Sequence, residues 1–177
     1  VSTFYFAKFI KNIEELLVSP MPAWAIVAGF IVGGVMRAFL VAICIIAVSL
    51  FFTHLTVFNM LVVFGAAFFT ALLFSLAGLI NGFFANGFDG ISIVPTFVLT
   101  PLTYLGGVFY SIELLPEPFR TLSLFNPILY MVNAFSYGFL GIADVNIVLS
   151  FVVMGGLTLF FFLVTLWLFV RGAGFKQ

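Results

Sequence analysis

Apolar residues run through this chain in long uninterrupted stretches, and polar residues collect where those stretches end. Residues 23–36 and 38–53 form one run broken only by Arg37, a second covers 57–85, a third 91–112 and a last 147–170. A helix needs about 20 apolar residues to cross a hydrocarbon core of roughly 30 Å. The runs therefore predict spans at 21–53, 57–84, 91–112 and 147–170, and residues 1–7 (VSTFYFA) read as the end of an upstream span. Asn86-Gly87 and Asp89-Gly90 mark a tight turn between spans, while Pro95 and Pro101 predict a bend in the third. The fold class is all-α: a polytopic transmembrane helical bundle with four full spans.

Residues 8–19, KFIKNIEELLVS, break this pattern. Phe9, Ile10, Ile13, Leu16 and Leu17 recur at helical spacing, while Lys11, Asn12, Glu14 and Glu15 take the opposite face, and Pro20-Met21-Pro22 ends the segment. Lys11 and Glu15 stand one helical turn apart and can pair weakly. Two readings fit: an interfacial helix that anchors a loop to the headgroups, or a docking helix for a cytoplasmic protein.

Residues 121–143 carry no charge, yet they include Asn126, Pro127, Asn133 and Ser136, and the Asn-Pro pair predicts a helix break. Ile128 to Leu140 would reach only about 20 Å as a helix, too short to cross. Charge placement agrees. With four spans the chain ends share one side, so Lys8, Lys11, Arg171 and Lys176 are all cytoplasmic, as the positive-inside rule prefers. His54, Glu113, Glu117, Arg120 and Asp144 fall on the other side. Residues 113–145 are thus expected to dip into the membrane from the outer face and return, which is tolerated only where protein or a watery cavity surrounds the backbone.

Composition narrows the function classes. The chain is 64% hydrophobic and 7% charged, against roughly 25% charged in soluble domains, so most of its surface faces lipid or other membrane helices. A net charge of zero without a basic cluster argues against nucleic acid as a partner. One histidine and one cysteine, Cys44, cannot assemble a zinc site, a bis-histidine haem site or a disulfide within the chain. No GxxxxGK[ST] loop is present, and the centres of the runs carry no carboxylate of the kind that ion-coupled carriers use. Uphill transport would therefore draw its energy from a partner, and no cofactor is expected in this chain itself.

Several residues remain as candidates. Ala71, Ser75, Gly78 and Gly82 place small side chains along one face of the second span, where helix backbones can approach closely in the bundle or in a dimer, or where a substrate groove could form. Residues 38–53 supply only about 24 Å before the polar Thr53-His54 end. That places Arg37 near one membrane face, able to snorkel to the interface or to act as counter-ion to an acidic substrate or Asp89. Asp89 reads as a turn residue in NGFDG. Glu113 and Glu117 have the spacing of a helical carboxylate pair, but Pro116 and Pro118 argue against a regular helix there.

Three stretches carry a resemblance over essentially all 177 residues: EELLVSPMPAWAIVAGFIVGGVMRAFLVA, FSLAGLINGFFANGFDGISIVPTFVLTPLTYLGGVFYSIELLP and FNPILYMVNAFSYGFLG. Together they resemble the ABC-2 type transporter permeases, in the bacterial inner-membrane branch of YadH- and NodJ-like proteins. The resemblance implies a six-helix, multi-pass inner-membrane permease working as a homodimer, embedded in membrane lipid, with separate ATP-binding cassette subunits that hold ATP and Mg. On this alignment the chain is a partial ABC-2 membrane domain that starts at the end of the second helix. The family's coupling helix, which enters a groove on the ATPase, falls on Ile10, Ile13, Glu14, Glu15, Leu16 and Leu17. Its re-entrant outer hairpin falls on 113–143, with Asn126, Pro127, Tyr130 and Asn133. Ser136 in NAFSYG stands where the resemblance leads one to expect an arginine. The function implied is ATP-driven export of an amphipathic, lipid-linked, saccharide or drug-like substrate; a non-transporting membrane scaffold is the competing expectation.

Overall fold

A computed structural model describes residues 22–53, 56–85, 88–109, 111 and 116–171. Among these residues the regular structure is entirely helical. Helix α1 (Ala23–Phe52) and helix α2 (Met60–Phe84) are followed by a contiguous α–π–α stretch: α3 (Phe88–Ile93), a π-helical segment (Val94–Leu99) and α4 (Thr100–Leu105). Helices α5 (Glu117–Leu124), α6 (Pro127–Leu140) and α7 (Ile147–Arg171) complete the order. Three of these, α1, α2 and α7, are long and apolar enough to cross a membrane.

Asparagine starts three of the helices. Asn59 Oδ1 accepts from Leu61 N and Val62 N at 3.1 and 3.3 Å, Asn126 Oδ1 from Ile128 N at 3.0 Å, and Asn146 Oδ1 from Val148 N at 2.9 Å. Each satisfies amides that the first helical turn leaves without a backbone acceptor. At its far end α6 stops at Gly141, whose φ of 74° is left-handed, and a β-carbon there would also press on the Phe58 ring at 3.2 Å.

The expected third span takes a different form. The helical stretch 88–105 is about 27 Å long at 1.5 Å per residue, and it ends at Gly106 rather than continuing to 112. Proline explains its irregular middle. Pro95 and Pro101 have no amide to donate, and between them the Thr100 amide reaches back five residues to Pro95 O in a wider π turn. Pro116 and Pro118 mark a helix start at Glu117, so no described helix carries Glu113 and Glu117 together. Pro116 caps α5, and Pro118 lies in its first turn, where no amide hydrogen bond is required. Glu117 then pairs with Arg120 at 3.6 Å on an exposed face.

Packing fixes the helix directions. At one end Ile26, Val27 and Ile31 of α1 meet Leu76, Leu79 and Phe83 of α2 and Leu168 and Phe169 of α7. The Phe83 and Phe169 rings meet edge to face at 4.8 Å. Toward the other end, Ala66 and Leu73 of α2 pack with Tyr130, Met131 and Ala134 of α6 and Met154 of α7. Helices α2 and α7 therefore run parallel, and the chain between them must travel back along the bundle. Asn59 N donates to Gly138 O at 2.9 Å, so the C-terminal turn of α6 lies beside the start of α2, and its N-terminal turn lies at mid-length. The turn between α5 and α6 is held there by Asn126, whose Nδ2 donates to Leu102 O at 2.6 Å, and by Tyr130, whose hydroxyl donates to Leu124 O at 2.7 Å.

Asn133 closes the arrangement. Its Nδ2 donates to Val145 O at 2.8 Å and Ser150 Oγ at 2.9 Å, while its Oδ1 accepts from Asp144 N at 2.8 Å and Val145 N at 3.1 Å. Replacing Asn133 by Leu keeps the volume but removes all four bonds. Leaving such groups unpaired costs about 1–3 kcal/mol, so we predict a lower unfolding midpoint in detergent at normal membrane abundance. An unchanged midpoint would show that the α6–α7 link is held by apolar packing alone.

Candidate functional site

The two ends of α1 are treated differently by the fold. Its first turns are built into the core through Ile26, Val27 and Ile31, and no described residue of α1 beyond Ile31 is buried. Small residues bring α1 and α2 together at one level: Ser75 Oγ donates to Ile31 O at 3.5 Å and touches the position a Gly34 β-carbon would take. Around that contact a cleft of about 710 Å³ lies between the helices, reaching from Gly29 and Leu79 past Arg37 to Ile45, with Phe135 of α6 among its lining residues. Gly33, Ala38, Ala67 and Ala71 line it with little side-chain bulk, and Arg37 and Thr70 line it as well.

The Gly34–Ser75 contact sets the register, and it changes the reading of Arg37. Counting about 1.5 Å per residue from that contact, Arg37 stands level with the middle of α2, about 18 Å from either end of that helix. The sequence places it near a membrane face because α1 was measured from its own polar end. A helix of 30 residues exceeds the hydrocarbon core, so its length alone does not locate that core. From this level an arginine stem does not reach either end of α2. Among the described residues Arg37 has no hydrogen bond or ion pair, and the side chain of Asp89, one partner suggested for it, lies outside them.

Thr70 is the second unusual group. Thr103, Thr158 and Thr165 each donate to the carbonyl four residues earlier at 2.7 Å. Thr70 does not: its Oγ1 is buried and has no hydrogen-bond partner among the described residues.

The other expected site residues fall in separate places. Ala71, Gly78 and Gly82 are buried and Ser75 half-buried, so the small face of α2 is turned into the chain's own bundle; Ala71 and Ser75 also line the cleft. Asn126, Pro127, Tyr130 and Asn133 are brought together along α6. Ile10, Ile13, Glu14, Glu15, Leu16 and Leu17 lie outside the described residues, as does Glu113. Sequence reading missed Thr70 and the small residues of α1. Gly34, Ala38 and Ala42 recur every four residues and could have signalled a face that leaves room.

Aromatic and basic groups mark the end of the bundle where α1 starts and α7 finishes. Trp24 is exposed there, and the Arg171 guanidinium lies 4.3 Å from the Trp167 ring centroid. This combination is typical of a membrane–water interface.

Comparison with known proteins gives consistent matches. Residues 1–140 match the family described as ABC-2 type transporter. The chain is 53% identical over 176 residues to the inner membrane transport permease YadH of Escherichia coli strain K12, a match covering 99% of this chain and 69% of the relative. Proteins of the same name from Escherichia coli O157:H7 and Shigella flexneri match to the same extent. No solved structure matches the chain.

Because the Thr70 hydroxyl is unpaired, Thr70→Val exchanges a desolvated polar group for a methyl of similar size. The expected outcome is an unfolding midpoint equal to or above the parent, by up to about 1 kcal/mol in stability. A clear loss of stability in detergent would mean that the hydroxyl is bonded in the folded protein.

Proposed function

Because the chain belongs to the ABC-2 type transporter family, we propose that it is the membrane-spanning permease subunit of an ATP-driven exporter in the bacterial inner membrane. The observation that carries this reading is the 53% identity, over nearly the whole chain, to relatives named inner membrane transport permease. Three helices suited to crossing a membrane agree with a multi-pass membrane protein.

The finer parts of the reading have separate support. Since α2 and α7 run parallel, residues 85–146 must return the chain from one end of the bundle to the other. This supports a fourth crossing, made by the 88–105 helical stretch and the segment after it. The α5–α6 turn at mid-length supports a re-entrant hairpin entering from the outer face. There Asn126 and Asn133 satisfy backbone groups that lipid could not.

ATP and Mg would be held by a separate ATP-binding cassette subunit, which docks on the amphipathic segment 8–19 of each permease in a homodimer. Drawing two such segments together would shift the bundle between states in which different faces of the membrane have access. Helix α1 suits that motion, because it is packed at the end nearest the segment and open beyond Ile31. The substrate in this reading is amphipathic, lipid-linked, saccharide or drug-like.

The docking claim is tested by pull-down of the ATP-binding subunit with the native permease, using membrane abundance as control. Leu17→Ala should weaken capture about 5- to 30-fold, the loss expected from a small-interface anchor worth roughly 1–2 kcal/mol. Glu15→Lys should act mainly on association rate and salt dependence. Full capture and full stimulated ATP hydrolysis in both variants would reduce residues 8–19 to an interfacial anchor.

Topology offers a second check. In intact cells, a cysteine replacing Glu117 should react with an impermeant thiol reagent, and one replacing Asp89 only after permeabilisation. The reverse labelling would overturn the four-crossing arrangement.

A further inference from the structure

We propose that the cleft between α1 and α2 binds a lipid with an anionic phosphate headgroup, with Arg37 as its counter-ion and the Thr70 hydroxyl as a second donor. Three features of the cleft converge on this ligand.

The first is charge. Arg37 stands level with the middle of α2, and no described residue offers it an acidic or hydrogen-bonding partner. A cation at membrane depth is costly unless something compensates it. A guanidinium also presents a planar fork that matches two phosphate oxygens.

The second feature is the unpaired hydroxyl. The other helical threonines named above bond back to their own helix, whereas Thr70 Oγ1 is buried without a partner and its residue lines the same cleft. Measured from the Gly34–Ser75 contact, Arg37 and Thr70 lie within about 3 Å of one another along the bundle axis. The two groups thus stand at one level, and a turn of the Thr70 side chain about its first torsion would bring Oγ1 to a headgroup held by Arg37.

Shape and lining supply the third. The walls beyond these two groups are apolar, and Val41, Ile45 and Phe74 at the cleft are exposed on the outer surface of the bundle. A site walled by apolar groups and open sideways suits a molecule that arrives through the bilayer with acyl chains attached. A free phosphate ion has no such route. Basic pockets between transmembrane helices hold lipid headgroups by this combination of charge and chain contact. The proposal concerns binding alone and stands or falls independently of transport.

Native mass spectrometry of the purified protein in detergent tests it, with phosphatidylglycerol, phosphatidylcholine and inorganic phosphate as probes. The parent should bind phosphatidylglycerol in preference to phosphatidylcholine, and excess inorganic phosphate should not displace it. Arg37→Gln should lower phosphatidylglycerol affinity about tenfold, the loss expected when a charge-assisted pair is removed, and Arg37→Lys, which keeps the charge but not the fork, should lower it by less. Thr70→Val should cost about two- to fivefold, the worth of one neutral hydrogen bond. Gly33→Leu gives a steric test, because a β-carbon at Gly33 meets nothing within 4 Å and the added side chain can fill the cleft without disturbing the helix pair; lipid binding should fall while the unfolding midpoint holds. Equal binding of both lipids by the parent would overturn the proposal without any variant. So would displacement by inorganic phosphate, or parent-like phosphatidylglycerol affinity in Arg37→Gln.

Discussion

Four hydrogen bonds to a single amide side chain decide how the second half of this chain is organised. Asn133 is almost fully buried, and its donors and acceptor are all used on the residues that turn from α6 into α7. Water is not available to satisfy the same groups within a bilayer, so a short helix with a sharp exit is tenable only where side chains complete the backbone's hydrogen bonding. Asn126 performs the equivalent task at the entry to α6, bonding both its own helix start and Leu102 O. Between these two amides α6 is held against α2 and α7, and Gly138 permits an approach in which a β-carbon would collide with Val63.

That placement of α6 accounts for the cleft. Where α6 meets α2 and α7 it supplies the apolar partners of Ala66, Leu73 and Met154. Helix α1 has its own buried contacts only up to Ile31 and stands apart from the bundle beyond the Gly34–Ser75 contact. Small residues on both walls keep the gap from being filled from within. The protein thus combines a close-packed end, where α1, α2 and α7 share one cluster, with an open region in which a charged and a hydroxyl side chain have no partner among the described residues.

Much of this was legible along the sequence, and the parts that were not share a physical cause. The uncharged runs located α1, α2 and α7, and Asn126-Pro127 located the break before α6, because both signals are local: length of apolar chain in one case, proline geometry in the other. The effect of proline was less legible, because it depends on position within the turn. Pro116 and Pro118 begin α5, and Pro95 is absorbed by a π turn. The depth of Arg37 was not legible, since it follows from the pairing of Gly34 with Ser75 across 41 positions. The unpaired state of Thr70 is likewise a property of three-dimensional packing. The amphipathic pattern at 8–19 was clear in the sequence, and those residues lie outside the described structure.

The position of α6 between a helix made before it and a helix made after it also constrains biosynthesis. As the chain leaves the ribosome, α2 emerges first, then α6, and α7 last. Too short to stay in lipid as a span, α6 has only one of its two walls when it appears, and the Ser150 and Val145 partners of Asn133 have yet to be translated. Docking of the hairpin must wait until α7 has been inserted, so the final topology is completed after translation rather than helix by helix. During that interval the amide of Asn133 lacks the partners that α7 and its preceding turn supply in the folded chain.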